Sequence, residues 1–522
     1  MIADARLGVP DEAQAQARER THERPARRDS GTQRGGPRRV AAAHPLLWLA
    51  AVAAAFTLVQ LALVVPGLGL GWDETVYVSQ VSPQAPAAFF SAPRARGITY
   101  LVAPVAALTT STEALRVYLA LLSGCGLFAA LWVWRRLLSP RLLAVAGALF
   151  ASLWVTMFYG PQAMPNLWVA YGALAAVGCF LRAVRDPGDR RALIGLAAGV
   201  ALVALMRPTD AVWLVLPLAA AAFLMRAQRR QLLLVLLAAG AALGSAEWVI
   251  EAYVRYDGLF TRLRRASEIQ GHLGAYFAID DHVRALAGRT LCRPCDVSWR
   301  HPATSVWFLA LPLFVAGGVG AAARTRHRTP VILATGVGLT LALPYLFTVG
   351  YAAPRFLLPA YALLSLPVAQ CLIRIARVRP QWRPAAVVLL AVTAVAHLGV
   401  QYRLLDGVTD RVRANTADYT RIAAGLRAQG VRPPCVITGD DAIRVAFRTG
   451  CASRQSGGHD ISITPAALAT VALRQPLAVL RSGDQRPPAY ARFWHIHPLP
   501  DLNGRTAYRA YLSPTASEAR QE

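Results

Sequence analysis

The sequence predicts an all-α polytopic membrane protein of about eleven transmembrane helices, followed by a small C-terminal α/β domain outside the membrane. Three observations predict it. Of the 522 residues, 55% are hydrophobic and the mean hydropathy is +0.37, against about 45–50% apolar in a soluble domain. The apolar residues gather in blocks of about 17–25, the length a helix needs to cross roughly 30 Å of hydrocarbon. Between the blocks, arginine-rich connections alternate with arginine-poor ones. Hydropathy and charge are independent signals, and here they agree.

Residues 1–42 are polar and Arg-rich with no hydrophobic period, and are expected to be a disordered cytoplasmic tail. A signal peptide fits poorly, because the charged region is too long and no small-x-small cleavage site follows the first apolar run. That run reads as an uncleaved anchor. The apolar runs are 45–66, 114–134, 141–158, 166–182, 191–206, 210–225, 231–253, 303–322, 330–349, 356–373 and 384–401. The connections with Arg135, Arg136 and Arg141, with Arg182, Arg185, Arg190 and Arg191, and with Arg226, Arg229 and Arg230 share one side with the tail. So do those with Arg324, Arg326 and Arg328, and with Arg374, Arg377, Arg379 and Arg383. The positive-inside rule makes that side the cytoplasm. The transmembrane region, 43–402, then enters from inside and exits outside a plasma membrane, with long outer loops at 67–113 and 254–302. Residues 403–522 have ordinary soluble composition. Strands are expected around 435–439, 476–481 and 506–512, and helices near 441–449 and 464–474.

The net charge of +26 is not a nucleic-acid signature. The sequence has no Lys, so all 55 basic residues are Arg, and they sit between apolar runs. A GC-rich coding bias, also visible in the abundant Ala, Gly and Pro, accounts for the excess. Cys125, Cys179 and Cys371 fall in apolar runs and read as small core residues. Cys435 with Cys451, and Cys292 with Cys295, are candidate disulfides outside the membrane. A zinc site using Cys292 and Cys295 with His282 or His301 is the alternative for that pair, though four ligands are not evident.

Ionisable residues within the apolar runs are scarce, and the charged ones gather at the predicted outer ends. That pattern suggests a polar cavity opening outward and argues against an ion-coupled transporter, which would place charges near the midplane. Asp73 and Glu74 follow the first run closely. One could serve as a general base while the other orients it or holds a cation; a solvated loop with a helix-capping Asp is the other reading. Arg94 and Arg96 lie in Ser91-Ala-Pro-Arg-Ala-Arg-Gly97, Arg207 in Met206-Arg-Pro-Thr-Asp210, and Arg355 in Tyr351-Ala-Ala-Pro-Arg-Phe-Leu-Leu-Pro359. Guanidinium groups at one depth would suit an anionic lipid headgroup. Snorkelling to the interface explains each equally well when taken singly.

Four short segments together resemble the GT-C glycosyltransferases, in particular the branch of protein O-mannosyltransferases and lipid A aminoarabinose transferases. These are Trp72-Asp73-Glu74-x-x-Tyr77 after the first helix, the Pro-Arg-x-Arg-Gly stretch before the second, Ala163-Met-Pro-Asn166 opening the fourth, and Pro354-Arg-Phe-Leu-Leu-Pro359 opening the tenth. The resemblance covers roughly 45–401. It implies transfer of a sugar from a polyprenyl-phosphate carrier to a cell-envelope acceptor outside the cytoplasm. Asp73 would then be the base, with Glu74 second. Arg94, Arg96, Arg207 and Arg355 would hold the phosphate, and Tyr77 and Asn166 would contact substrate. Many relatives carry a second acidic residue where Asn166 or Gln162 stands here. A divalent metal is therefore left open and a metal-free mechanism is favoured. A non-catalytic binder or exporter of lipid-linked glycan is the rival reading.

Overall fold

Each apolar run is helical in the computed structural model, which describes residues 45–299, 301–458, 460–502 and 507–519. The tail expected at 1–42 lies outside the described residues. The first run is α1 (Pro45–Val59), continued by a π turn over Gln60–Val64. The loop that follows carries two unexpected helices, α2 (Trp72–Ser79) and α3 (Gly97–Ala106). Then come α4 (Thr112–Val133), α5 (Pro140–Ala151), α6 (Trp154–Tyr159), α7 (Pro165–Arg185), α8 (Arg190–Met206), α9 (Pro208–Leu224) and α10 (Arg230–Arg255). The second long loop holds α11 (Leu259–Ile269) and α12 (Ile279–Ala285). It is followed by α13 (Val306–Ala322), α14 (Arg328–Phe347), α15 (Leu358–Ile375) and α16 (Arg383–Ala428). Seven helices among the described residues are long and apolar enough to cross a membrane.

Local chemistry sets several of these boundaries. The hydroxyls of Ser111 and Ser139 and the carboxylate of Asp189 accept from the first-turn N–H groups of α4, α5 and α8, the usual way to satisfy free helix donors. The run expected as one helix over 141–158 breaks at Ser152–Leu153 into α5 and α6. The Trp154 backbone N–H freed by the break donates to Gln401 Oε1 at 2.8 Å, so that main-chain donor is satisfied. Helix α7 is buried on nearly all sides and forms the centre of the bundle. Helices α8 and α10 approach closely because a Cβ at Gly240 or Gly244 would meet the carbonyls of Ala197 and Ala201, the small-residue contact that lets membrane helices pack backbone to backbone.

Helix α16 is 46 residues long. The last apolar run was expected to end at 401, yet the helix continues to 428. Beyond 401 the helical spacing persists in Leu405, Val408, Tyr419, Ile422 and Leu426, all buried, while interspersed charges lower the hydropathy that marks a membrane span. Its final turns enter the core of a five-stranded sheet built from β1 (Val436–Gly439), β2 (Ala452–Ser453), β3 (Leu477–Arg481), β4 (His495–Pro498) and β5 (Arg509–Leu512). The spatial order is β2-β1-β3-β5-β4. Strands β1, β2 and β3 are parallel, and β5 and β4 are antiparallel additions. Helices α17 (Ala442–Thr449) and α18 (Pro465–Ala472) make the crossovers, and α19 (Pro514–Glu518) closes the chain. The sheet and the helical body belong to one compact unit.

Cys435 is bonded to Cys451, joining the start of β1 to the end of α17, and Cys292 is bonded to Cys295. His282, the candidate zinc partner, is buried instead against the Tyr345 carbonyl at 3.2 Å. Closing a loop of 16 residues is worth about 3 kcal/mol in the chain-entropy view. Replacing Cys435 and Cys451 together by Ala is expected to lower the denaturant resistance of the sheet by about that amount, read by limited proteolysis of the purified protein. Unchanged resistance would show that the crosslink contributes nothing.

Candidate active site

A cavity of about 550 Å³ lies between the helical body and the sheet. Its floor comes from α2, the segment 91–95, the start of α7, Met206–Arg207 and Tyr351–Phe356. Its other wall comes from Gly439–Asp441 at the end of β1, from Arg444, and from the segment containing Gln455 and Asp460. Strand β1 runs parallel to both neighbours, and its carboxyl end faces the cavity, where open α/β sheets commonly take ligands.

Asp73 stands in the floor. Its Oδ1 accepts from Arg94 Nη2 at 2.8 Å, and its Oδ2 from Arg355 Nη2 at 3.2 Å. Its side chain remains 36% exposed, so it can meet a ligand. Burial raises its carboxyl, but the Arg94 and Arg355 guanidiniums outweigh that and hold it below the ordinary Asp value. Arg355 also donates to the Thr290 carbonyl at 2.9 Å, and Arg94 bonds Asp460 Oδ1 at 3.3 Å. Trp72 Nε1 donates to the other Asp460 oxygen at 3.2 Å. The sheet domain is therefore tied to the floor through the same arginine that holds Asp73.

Arg207 lies against the rings of Tyr345 and Phe356 and pairs with Asp210 at 3.2 Å. Asp210 also accepts from the Tyr345 hydroxyl. Tyr77 and Asn166 line the same cavity, and burial raises the Tyr77 hydroxyl above its ordinary value.

Two candidate residues point elsewhere. Arg96 pairs with Glu247 at 3.1 Å and Glu251 at 2.7 Å, over the Phe90 ring, away from the cavity. It fastens the 91–97 segment to α10, a structural use the spacing could not distinguish from ligand binding. Glu74 is 3% exposed and does not line the cavity. It accepts from Gly71 N at 2.8 Å and Ala163 N at 2.7 Å, and it is held bidentately by Arg116. Four donors surround a carboxylate sealed from water, so Glu74 anchors the loop and is not placed to take a proton from substrate.

Arg116 was missed in the sequence because it sits four residues inside an apolar helix. It is fully buried. Its Nε donates to the Leu68 carbonyl, Nη1 to Glu74 and the Pro161 carbonyl, and Nη2 to the Gly69 carbonyl and Glu74. All five donors of the guanidinium are used. Arg262 was missed for a different reason: it sits among other arginines in α11 of the second long loop, where nothing in the sequence marks the one that turns inward. It is fully buried and donates to the carbonyls of Ala92 and Arg94, fixing the backbone that presents Arg94.

The donor set does not fit a divalent metal. Asp73 is flanked by guanidiniums, the first turn of α7 brings the amide of Asn166 to the cavity and not a carboxylate, and no group of three His, Cys, Asp or Glu side chains is placed to hold an ion among the described residues.

No family model matches the sequence, and no curated protein does. Solved structures do match. ArnT from Cupriavidus metallidurans bound to undecaprenyl phosphate superposes with a TM-score of 0.63 over 90% of this chain and 98% of that one, at 14% identity. Its apo form gives 0.61 over 91% and 98%, at 13% identity. The fold is GT-C. The apo oligosaccharyltransferase from Archaeoglobus fulgidus matches at 0.51, with 12% identity over 83% of this chain and 69% of that one. The GT-C body thus extends over nearly the whole length of the first two matches, and the protein is a membrane protein.

Two outcomes are expected. Arg116→Met leaves the Glu74 carboxylate buried without its cation and should cost about 3–5 kcal/mol, seen as a lowered thermal midpoint in detergent. Adding Glu74→Gln should recover part of the loss, and no recovery would show that the pair is not the cause. Asp73 has a lower carboxyl value folded than unfolded. Its ion pairs thus contribute fully above the ordinary value of 3.8 and are lost as pH falls through the lowered value. The wild-type melting point should therefore drop more steeply below about pH 4 than that of Asp73→Asn.

Proposed function

We propose that the protein is a membrane glycosyltransferase that moves a sugar from a polyprenyl-phosphate carrier to an extracytoplasmic acceptor in the cell envelope, with inversion. The observation that carries this reading is the convergence of Arg94, Arg207 and Arg355 with one exposed carboxylate, Asp73, in a single cavity of a GT-C fold. In the matched ArnT structure the bound molecule is undecaprenyl phosphate; a carrier of that chemistry suits this cationic floor. The segments at all eleven apolar runs cross the plasma membrane in this reading, with the tail in the cytoplasm and the sheet domain outside.

The leaving group, a lipid phosphate, is already anionic and is stabilised by the arginines, so it needs little acid assistance. The acceptor hydroxyl does need a base. Asp73 takes its proton as the acceptor oxygen bonds the anomeric carbon and the bond from that carbon to the phosphate oxygen breaks. With Arg94 and Arg355 on it, Asp73 is a weak base. The incoming phosphate competes for those same two guanidiniums, and each contact it takes raises the basicity of the carboxylate. Donor binding and activation of the base are thus one event. Arg207 pairs with Asp210 and lies over the Tyr345 ring, with no ion pair to Asp73, so it meets the phosphate without that exchange.

Asp73→Asn keeps the shape and removes the base. Transfer of label from polyprenyl-phosphate sugars to cell-envelope extract is expected to fall by about 10²–10⁴-fold, with binding of the carrier lipid retained. Full transfer by this variant would remove Asp73 from the chemistry. Saturable lipid binding by the wild type with no transfer from any donor would point to a binder or exporter of lipid-linked glycan.

A further inference from the structure

One polar side chain in the cavity is left unanswered by its neighbours. Asn166 is 1% exposed and lines the cavity, and neither its Oδ1 nor its Nδ2 has a hydrogen-bond partner in the protein. Several polar groups that line the same cavity are engaged elsewhere. Asp73 is held by Arg94 and Arg355, Asp460 by Trp72 and Arg94, and Gln455 by the Gly439 backbone. A buried amide with both ends unpaired is costly, and the cavity is where its partners would come from.

The placement of Asn166 is fixed. It occupies the first turn of α7, a helix of 21 residues whose N-cap, Met164, supplies no side-chain acceptor. Pro165 beside it has no N–H to offer. The backbone just before it is pinned, because Ala163 N donates to Glu74 and the Pro161 carbonyl accepts from Arg116 at 2.8 Å. Glu74 adjoins Asp73 in α2. One buried ion pair therefore sets the backbone beside both the exposed carboxylate and the unpaired amide.

We propose that Asn166 holds a hydroxyl group of the sugar being transferred and not the phosphate of its carrier; the proposal rests on the reading of the cavity as a transferase site. The functional-group inventory decides between the two. An amide presents one acceptor oxygen and two N–H donors. Phosphate oxygens beside three arginines only accept, so they would satisfy Nδ2 and leave Oδ1 stranded. A hydroxyl both donates and accepts, and two neighbouring hydroxyls on a sugar ring answer both ends of the amide at once. The cavity then divides its labour, with guanidiniums for the charged linkage and a neutral amide for the ring. Asn166 is a substrate-contacting residue that bears on which sugar is accepted.

The test uses the full-length protein in nanodiscs, with binding of bare polyprenyl phosphate and of a panel of polyprenyl-phosphate pentoses and hexoses measured for wild type, Asn166→Ala and Asn166→Leu. Variants are compared only if they elute as the wild type on size exclusion, and either one suffices. The wild type is expected to bind one sugar-bearing lipid more tightly than the bare lipid. The variants should lose roughly tenfold on that lipid, the worth of about one net hydrogen bond to a neutral partner, while bare-lipid affinity stays within about twofold. Equal weakening of both lipids would place Asn166 on the phosphate and overturn the proposal. Unchanged binding of both would show that the amide is answered by water, and would also overturn it. A wild type that binds every sugar-bearing lipid no better than the bare one would overturn the transferase reading together with this one.

Discussion

Arg116 and Glu74 are opposite charges sealed from water, and neither is tolerable there without the other. Between them they fasten four stretches of backbone: residues 68–69, residue 71, residue 161 and residue 163. Those stretches are the exit of the first membrane helix, the start of α2 and the turn that leads into α7. Asp73 extends from one of them and Asn166 follows another. Apart from the first turn of α7, the cavity floor is built from short helices and irregular segments, so this pair does much of the work that secondary structure does elsewhere. A second buried arginine, Arg262, does the same for the segment that carries Arg94. Irregular backbone at the edge of a membrane survives only where its polar groups are satisfied by protein, and here two guanidiniums do most of that.

Much of the helical body was legible in the sequence because a membrane enforces a simple rule on length and polarity. The helices at the eleven apolar runs follow from it. The helices that were not legible, α2, α3, α11 and α12, are short and lie in loops where no such rule applies. In α2 the apolar Trp72, Val76, Tyr77 and Val78 share eight positions with four polar residues, so no apolar run marks it. The sheet was legible where its strands are apolar and buried, as in Leu477–Arg481, and illegible in β4, whose His495-Ile-His-Pro sequence sits on an exposed edge.

At the candidate site, residue type narrowed the choice but could not finish it. Asp73 and Glu74 are adjacent in sequence, yet one faces a cavity and the other a buried cation. Arg94 and Arg96 are two apart, yet one meets Asp73 and the other meets α10. Helical and loop geometry sends near neighbours in different directions, and only tertiary contacts reveal which direction leads to ligand. The contribution of Asp460, 366 residues from Arg94 in sequence, had no local signal at all.

Helix α16 passes without interruption from lipid-facing residues such as Val388 and Val395 to Tyr419 and Leu426 inside the sheet's core. At about 1.5 Å per residue it is a rod of roughly 70 Å, with one end in the bilayer and the other in the core of the sheet that walls the cavity. Bilayer and cavity are thus mechanically linked. A tilt of about 10° in the apolar half carries the sheet end sideways by several ångströms over the remaining 25 or so residues. Such a tilt is what a helix adopts when the hydrocarbon around it thins. The width of the gap between floor and sheet therefore becomes a property of the membrane as well as of the protein, and lipid composition acts on the enclosure from a distance.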